Sequence, residues 1–157
     1  MPKRFIGWLG LSALVIIIDQ ITKAAVLSHL SLGQGIPYSD FFKLVLVYNP
    51  GAAFSFLSDQ NGWQKWFFLA LALGISAWLV ALMRRHADER LQPLAYALIV
   101  GGALGNAIDR FHYGAVVDFL YFHIGHHGWP AFNVADSAIC AGIALMVLIQ
   151  LREPKKA

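Results

Sequence analysis

Four carboxylates in this sequence stand in apolar surroundings, where a charged side chain is costly. Asp19 interrupts a long apolar run, Asp109 and Asp136 lie within two others, and Asp118 stands in the apolar segment 116–120. Ionisable groups inside apolar spans persist when they face one another or a water-filled cavity. Carboxylates held in this way support general acid–base catalysis or proton relay, so these four are the candidates for chemistry.

Spacing places further polar side chains beside these carboxylates, because residues three or four positions apart are neighbours on a helix. They are Lys23 beside Asp19, Asn106 beside both Asp109 and Arg110, and Asn133 beside Asp136. Each also has a structural interpretation: a helix N-cap for Asn133 or Asp136, an i,i+4 ion pair or a snorkelling lysine for Asp19 and Lys23, and an interfacial ion pair for Asp109 and Arg110.

The composition indicates what kind of fold must position these residues. Of 157 residues, 58% are apolar and 13% are charged, about half the charged share of a soluble domain. A water-soluble globule of this composition would expose large apolar patches. The sequence therefore predicts a single integral membrane domain over residues 1–157, and it excludes a disordered chain, a coiled coil and a nucleic-acid-binding protein. A single cysteine, Cys140, excludes a disulfide framework.

Four apolar segments approach the length of a membrane-spanning helix, about 20 residues. We place the spans at residues 5–26, 63–83, 94–111 and 132–151, and the loops on one side at 27–62 and 112–131. The first segment is long for the apolar region of a signal peptide, and no Ala-x-Ala cleavage site follows it. We interpret it as a retained span, with a cleaved signal peptide as the alternative.

The basic residues predict the orientation of these spans. Most of them cluster at the termini and between spans two and three: Lys3, Arg4, Arg84, Arg85, Arg90, Arg152, Lys155 and Lys156. The two loops 27–62 and 112–131 contain only Lys43. By the positive-inside rule both termini are cytoplasmic. The net charge of +3 is then a topology signal, and it requires no nucleic-acid partner.

Three of the carboxylates fall at one depth of the predicted bilayer. At about 1.5 Å per residue, Asp19, Asp109 and Asp136 each lie about 21–22 Å from the cytoplasmic end of their spans. In a hydrocarbon core about 30 Å thick, that level is in the outer leaflet. The convergence of several segments there predicts a shared polar chamber near the outer surface.

The two outer loops differ in their predicted structure. Residues 41–48 (FFKLVLVY) are rich in β-branched and aromatic types, a turn signal follows at 49–51, and residues 52–57 continue in an extended pattern. They predict a small β-hairpin on the outer membrane surface. The loop 112–131 contains several glycines and a proline, and we expect it to be irregular with one short helix.

Other candidate sites are weaker. His123, His126 and His127 suggest a metal cluster, but no H-E-x-x-H motif or suitably placed carboxylate accompanies them, and we expect neither metal nor cofactor. The glycines of residues 101–105 lie inside a span, where small residues favour close helix packing. Ser137 beside Asp136 leaves a serine-based mechanism open.

The sequence resembles the lipoprotein signal peptidases (signal peptidase II), which are bacterial inner-membrane aspartyl proteases. The most specific segment is residues 101–110 (GGALGNAIDR), which is similar to the family signature G-G-A-x-G-N-x-x-D-R. Four further segments are similar and follow in family order: Asp19-Gln20-x-x-Lys23, Asn49-x-Gly51-Ala52-Ala53-Phe54, Val116-Val117-Asp118-Phe119 and Phe132-Asn133-x-Ala135-Asp136. Ala107 and Pro50 are minor departures.

The resemblance implies an all-α membrane protein with four transmembrane helices and a small extracytoplasmic β-hairpin or cradle between helices one and two. It implies cleavage of diacylglyceryl-modified prolipoproteins before the lipidated cysteine, with Asp118 and Asp136 as the catalytic pair. Substrate-binding or supporting positions would be Asp19, Lys23, Asn49, Gly51, Ala52, Phe54, Asn106, Asp109, Arg110 and Asn133. It further implies contact with membrane lipid, a monomer, and inhibition by globomycin-type cyclic peptides.

Two other classes of function remain open at this point. A small proton-coupled transporter or channel would use the buried carboxylates as a relay, but it needs titratable groups through the cytoplasmic halves of the spans, and those halves contain none. A non-catalytic assembly subunit would use the carboxylates only for packing.

Overall fold

Four long helices form where the sequence has its apolar runs. The computed structural model describes residues 3–51, 62–125 and 127–152. The helices are α1 (Lys3–His29), α2 (Trp63–Arg85), α3 (Leu91–Tyr113) and α4 (Val134–Arg152). Each is long and apolar enough to cross a membrane. α1 and α3 extend beyond the predicted spans at both ends, and α4 begins two residues later than predicted.

Helix α3 lies at the centre of the bundle and contacts the three other helices. In its most apolar window 61% of the residues are buried, against 17–22% in the other helices, so α1, α2 and α4 present most of their apolar surface outward. Such a surface suits a lipid environment. α3 is therefore the element through which the others are held together.

Glycines on α3 allow α1 and α4 to approach its backbone closely. A Cβ on Gly101 would lie 2.7 Å from the Cβ of Val15 on α1, and a Cβ on Gly102 would collide with the carbonyl oxygen of Ala135 on α4. A Cβ on Gly105 would lie 2.8 Å from Oδ2 of Asp19. The packing interpretation of this glycine-rich segment is therefore correct.

A small antiparallel sheet covers one end of the bundle. Its four strands are β1 (Gly35–Ser39), β2 (Phe42–Asn49), β3 (Val116–Ile124) and β4 (His127–Gly128), paired in the order β1-β2-β3-β4. An apolar cluster joins the sheet to the end of α1: Val26, Leu30, Leu46, Val117 and Phe119. Val47 of β2 pairs with Asp118 of β3, the strand that follows α3 in the chain.

The opposite end of the bundle carries most of the lysines and arginines of the described residues. Arg4 donates to the carbonyl oxygen of Asp88 (2.8 Å), and the indole of Trp8 donates to that of Ala87 (3.1 Å). These bonds fasten the start of α1 to the turn between α2 and α3. Arg84, Arg85 and Arg90 flank that turn.

The four-helix fold class with a small sheet is confirmed, but two predicted details of the loops differ. β2 forms as expected, yet its described partners are β1 and β3, and the predicted partner segment 52–57 lies outside the described residues. The expectation of an irregular 112–131 loop with a short helix is wrong, because residues 116–124 form β3. That strand is specified by pairing with the distant β2, which the local glycine pattern does not reveal.

The close contact at Gly102 gives a test of this packing. We expect Gly102→Ala to lower the free energy of unfolding by about 1–3 kcal/mol, because overpacking forces α3 and α4 apart. The measurement is the thermal unfolding midpoint of the purified protein in detergent. Gly74→Ala on α2 is the matched control, since a Cβ there meets no atom within 4 Å. Equal midpoints for the two variants would contradict the packing.

Candidate active site

A buried ion cluster lies where α1 meets α3. The ammonium nitrogen of Lys23 lies 2.8 Å from Oδ2 of Asp19 and 2.6 Å from Oδ2 of Asp109, and none of the three side chains is more than 2% exposed. The ammonium of Lys23 also donates to Oδ1 of Asn106, at 2.9 Å. Three acceptors thus match the three donors of an ammonium group. Lys23 does not snorkel, and the i,i+4 ion pair with Asp19 is part of a larger cluster.

The same cluster connects four elements of the fold. Oδ1 of Asp19 accepts the backbone N–H of Ala135 (2.9 Å), which is one of the unpaired donors at the start of α4. Oδ2 of Asp109 accepts the backbone N–H of Val117 on β3 (3.1 Å). Gln20 donates to Oδ1 of Asp109 at 2.9 Å and to the carbonyl oxygen of Gly105 at 3.2 Å. The positions of β3 and α4 therefore depend on side chains of α1 and α3.

Helix α4 begins with a reciprocal capping arrangement. Oδ1 of Asn133 accepts the backbone N–H of Asp136 (2.8 Å), and Oδ2 of Asp136 accepts the backbone N–H of Asn133 (3.3 Å). This is the geometry of a capping box, which satisfies two donors at a helix start. The N-cap interpretation of Asn133 is therefore correct, and it does not exclude a second role for the same two side chains.

Asn133 joins the two carboxylates that the resemblance singles out, through its side-chain amide at Asp118 and its backbone N–H at Asp136. Its Nδ2 donates to Oδ1 of Asp118 at 2.8 Å, while the capping bonds above hold it against Asp136. Asn133 is fully buried. Asn106 donates to Oδ1 of Asp136 at 2.7 Å, and Asn49 donates to Oδ2 of Asp118 at 3.2 Å. The carboxyl groups of β3 and α4 thus converge on one asparagine. We call this group the polar chamber: Asp19, Lys23, Asn106, Asp109, Asp118, Asn133 and Asp136.

Asp118 lies on the strand side of the polar chamber and is 2% exposed. Burial raises the pKa of Asp118 to about 7, and the negative charge of Asp136 adds to the rise. The amide donors of Asn49 and Asn133 act on the pKa of Asp118 in the opposite direction. This carboxyl group therefore exchanges a proton near neutral pH.

The side chain of Arg110 contacts residues outside the ion cluster. Its Nη2 donates to the carbonyl oxygen of Gly51 at 2.9 Å, and its guanidinium lies 5.0 Å from the centre of the Phe68 ring. Asp109 pairs with Lys23 instead, so the alternative interpretation of Asp109 and Arg110 as an interfacial ion pair is wrong. The N–H of Gly51 donates to Oδ1 of Asn49 at 3.1 Å, and Arg110 thereby supports the turn that carries Asn49.

Some predicted residues fall outside these contacts. Ala52, Phe54 and His126 lie outside the described residues. Among the residues that are described, no group of three His, Cys, Asp or Glu side chains is arranged to hold a metal ion. The hydroxyl of Ser137 donates to the carbonyl oxygen of Asn133 (2.9 Å), one turn earlier in α4.

Two participants in the site were not selected from the sequence. Gln20 lies in the segment that carries the resemblance, and its amide within an apolar run was a usable signal. Phe68 lies among many other apolar residues of α2, and nothing in the sequence distinguishes it. Its position under Arg110 depends on how α2 packs against α3.

The fold and the site define a class of protein, a polytopic membrane protein whose helices and small sheet enclose a buried cluster of carboxylates. A family model described as "Signal peptidase (SPase) II" matches residues 11–152. The chain belongs to the signal peptidase II family, as its resemblance indicated.

Curated relatives agree with the family model. A lipoprotein signal peptidase of Azoarcus sp. (strain BH72) is 59% identical over 148 residues, which are 94% of this chain and 84% of that protein. A lipoprotein signal peptidase of Ralstonia nicotianae is 50% identical over 149 residues, 95% of this chain and 86% of that protein. A solved bacterial membrane enzyme superposes with a TM-score of 0.83 at 30% identity, covering 96% of this chain and 94% of its own.

The capping role of Asn133 is testable by its effect on stability. Asn133→Ser keeps an oxygen that can cap α4, whereas Asn133→Ala removes it. We therefore expect the alanine variant to be less stable than the serine variant by about 1 kcal/mol. Thermal unfolding midpoints in detergent provide the comparison. Equal stability of the two variants would show that the cap contributes nothing.

Proposed function

We propose that this chain is an aspartic endopeptidase that removes the signal peptide from diacylglyceryl-modified prolipoproteins, cleaving before the lipidated cysteine. Asp118 and Asp136 are its catalytic pair. The observation that carries the proposal is that both carboxyl groups bond to Asn133 inside one buried chamber. Membership of the signal peptidase II family supplies the class of substrate.

The partners of the four chamber carboxylates favour this pair. Asp19 and Asp109 both contact the ammonium of Lys23, at 2.8 Å and 2.6 Å. The described donors to Asp118 and Asp136 are neutral amides instead. Neutral donors hold a carboxyl group in place without fixing its charge, so this pair can exchange a proton during a reaction.

The chemistry requires one ionised and one protonated carboxyl group. The ionised member accepts a proton from water as the water oxygen attacks the scissile carbonyl carbon. The protonated member gives its proton to the departing nitrogen as the C–N bond breaks. Two close carboxyl groups share one proton because both cannot ionise favourably. A pKa near 7 for Asp118 keeps that proton available at neutral pH.

The location of the chamber suits a lipid-anchored substrate. The chamber lies at the sheet end of the bundle, and five of the six arginines lie at the other end: Arg4, Arg84, Arg85, Arg90 and Arg152. With the basic end in the cytoplasm, both termini are cytoplasmic and the active site is near the outer leaflet of the inner membrane. A diacylglyceryl group holds the scissile bond at that depth.

A proton relay has less support. The buried acidic and basic residues among those described are Asp19, Lys23, Asp109, Arg110 and Asp118. All of them lie in the half of the bundle next to the sheet, and a relay needs titratable groups across the whole thickness.

The proposal includes finer expectations about ligands and assembly. The enzyme acts as a monomer in contact with membrane lipid, and cyclic peptides of the globomycin type inhibit it. These expectations come from the family resemblance, and purified protein in detergent allows each of them to be measured.

Conservative changes in the catalytic pair test the mechanism. We expect Asp118→Asn and Asp136→Asn each to lower the turnover of a lipidated prolipoprotein by at least about a thousandfold. The reason is that an amide neither accepts nor delivers the proton. Mass analysis of the products measures cleavage, and the unfolding midpoint shows that the fold persists.

Asp40→Asn is the matched control for these variants. Asp40 is an exposed carboxylate in the turn between β1 and β2, and we expect its amide variant to cleave at the wild-type rate. Turnover near normal in either catalytic variant would remove the proposed pair. Lost stability with normal turnover per folded molecule would instead favour the assembly-subunit alternative.

The raised pKa of Asp118 predicts the pH dependence of the reaction. Because the carboxyl group keeps its proton up to a pH near its pKa of about 7, we expect kcat/KM to fall as pH rises above that value. Above it, both members of the pair ionise and the acid is lost. A pH–rate profile measures this fall. A profile that stays flat to about pH 9 would contradict the assignment of a protonated carboxyl group.

A further inference from the structure

Lys23 reaches Asp136 through one intervening side chain, the amide of Asn106. The ammonium of Lys23 donates to Oδ1 of Asn106 at 2.9 Å. On the other side of the same amide, Nδ2 donates to Oδ1 of Asp136 at 2.7 Å. Lys23 is 2% exposed and Asn106 is 6% exposed, so water does not compete freely for these bonds.

The neighbours of Asn106 determine which way its amide faces. An amide group has nearly the same shape in its two orientations, and its hydrogen-bond partners decide between them. The ammonium of Lys23 offers only donors, and an ionised carboxylate offers only acceptors. A reversed amide would place N–H against N–H at Lys23 and oxygen against oxygen at Asp136. The mismatched contact at Lys23 would be buried and the one at Asp136 part-buried, where an unpaired polar group is costly.

The corresponding donor to Asp118 is oriented in a different way. Oδ1 of Asn133 accepts the backbone N–H of Asp136 at 2.8 Å, which leaves its Nδ2 facing Asp118. The backbone of α4 therefore orients Asn133. The orientation of Asn106 depends on two donors to its Oδ1: the ammonium of Lys23 on α1 at 2.9 Å, and Nδ2 of Asn133 at 3.2 Å. The charged and shorter of these bonds comes from Lys23.

We infer that Lys23 is a positioning residue for Asp136, because its ammonium holds the Asn106 amide in the orientation that donates to this carboxyl group. The inference rests on the proposed function, since it treats Asp136 as a member of the reacting pair. Lys23 itself contacts neither the water nor the scissile bond in this scheme.

Lys23 also has a structural role, which any test must separate from positioning. It neutralises Asp19 and Asp109, and its loss destabilises the protein whether or not it positions Asp136. Only the positioning role passes through Asn106. A double-mutant cycle at Lys23 and Asn106 therefore distinguishes the two, because coupled residues give non-additive effects.

The experiment measures kcat, KM and the unfolding midpoint for wild type, Lys23→Met, Asn106→Ala and the double variant, with a diacylglyceryl-modified prolipoprotein as substrate. We expect Lys23→Met to lower kcat about 10- to 100-fold while changing KM by less than about twofold. In the Asn106→Ala background the same change should lower kcat by less than about twofold further. The midpoint should fall in both backgrounds.

A charge-matched pair of variants keeps the test decisive if Lys23→Met does not fold. Lys23→Met combined with Asp109→Asn removes one positive and one negative charge, so the net charge of the cluster is that of the wild type. Its kcat is compared with that of Asp109→Asn alone, with and without Asn106→Ala. A loss of kcat that disappears with Asn106→Ala supports positioning, and an equal loss in both backgrounds overturns it.

Gln20→Leu is the control for general loosening of the ion cluster. Gln20 donates to Asp109 and to Asp19 without contacting Asn106, so its effect on kcat should be the same factor in both Asn106 backgrounds. If the effect of Gln20→Leu on kcat depended on Asn106 as strongly as the effect of Lys23→Met does, the inference would be overturned. Failure of the proposed function would be recognised separately, as wild-type protein that does not cleave or as Asp136→Asn that cleaves normally.

Discussion

The structure depends on one buried ammonium group between two buried carboxylates. Removing charges from water is costly, and a buried ion cluster persists only when its hydrogen bonds are satisfied. At Lys23 the ammonium has three acceptors, and the two carboxylates also accept backbone N–H groups of β3 and α4. Loss of one member of such a cluster typically costs about 3–5 kcal/mol. The cluster therefore fixes the relative positions of the elements that carry Asp118 and Asp136.

In the proposed mechanism, stability and chemistry use the same side chains of this site. Asn133 caps α4 and also holds Asp118, while Asp136 completes the capping box and also receives Asn106. A helix N-cap needs an oxygen acceptor, and an asparagine amide still has its N–H groups to donate. The structural and the chemical interpretations of these residues are therefore compatible, and a substitution at Asn133 affects both.

The sequence predicted those parts of the fold and site that depend on local pattern. The length of the apolar segments predicted the four helices, and helical spacing predicted that Lys23 lies beside Asp19 and Asn133 beside Asp136. Strand β3 was not predicted, because it depends on pairing with a segment about seventy residues earlier in the chain. The alternative of an interfacial ion pair between Asp109 and Arg110 also fails, for a different reason. Arg110 is adjacent in sequence, but the direction of neighbouring side chains on a helix brings Lys23 to Asp109 instead.

A peptidase that works within a membrane must bring water to a depth from which lipid excludes it. Here the two carboxyl groups come from different kinds of element. Asp136 lies in the first turn of a membrane-spanning helix, and Asp118 lies on a strand of the attached sheet. Along β3 the residues change from buried at Val116–Phe119 to increasingly exposed toward Ile124. The pair thus lies at the boundary between the bundle and the sheet. Water can approach the pair from the side of the sheet. Helices α1 and α3 supply the charged side chains of the ion cluster, which hold the site in place.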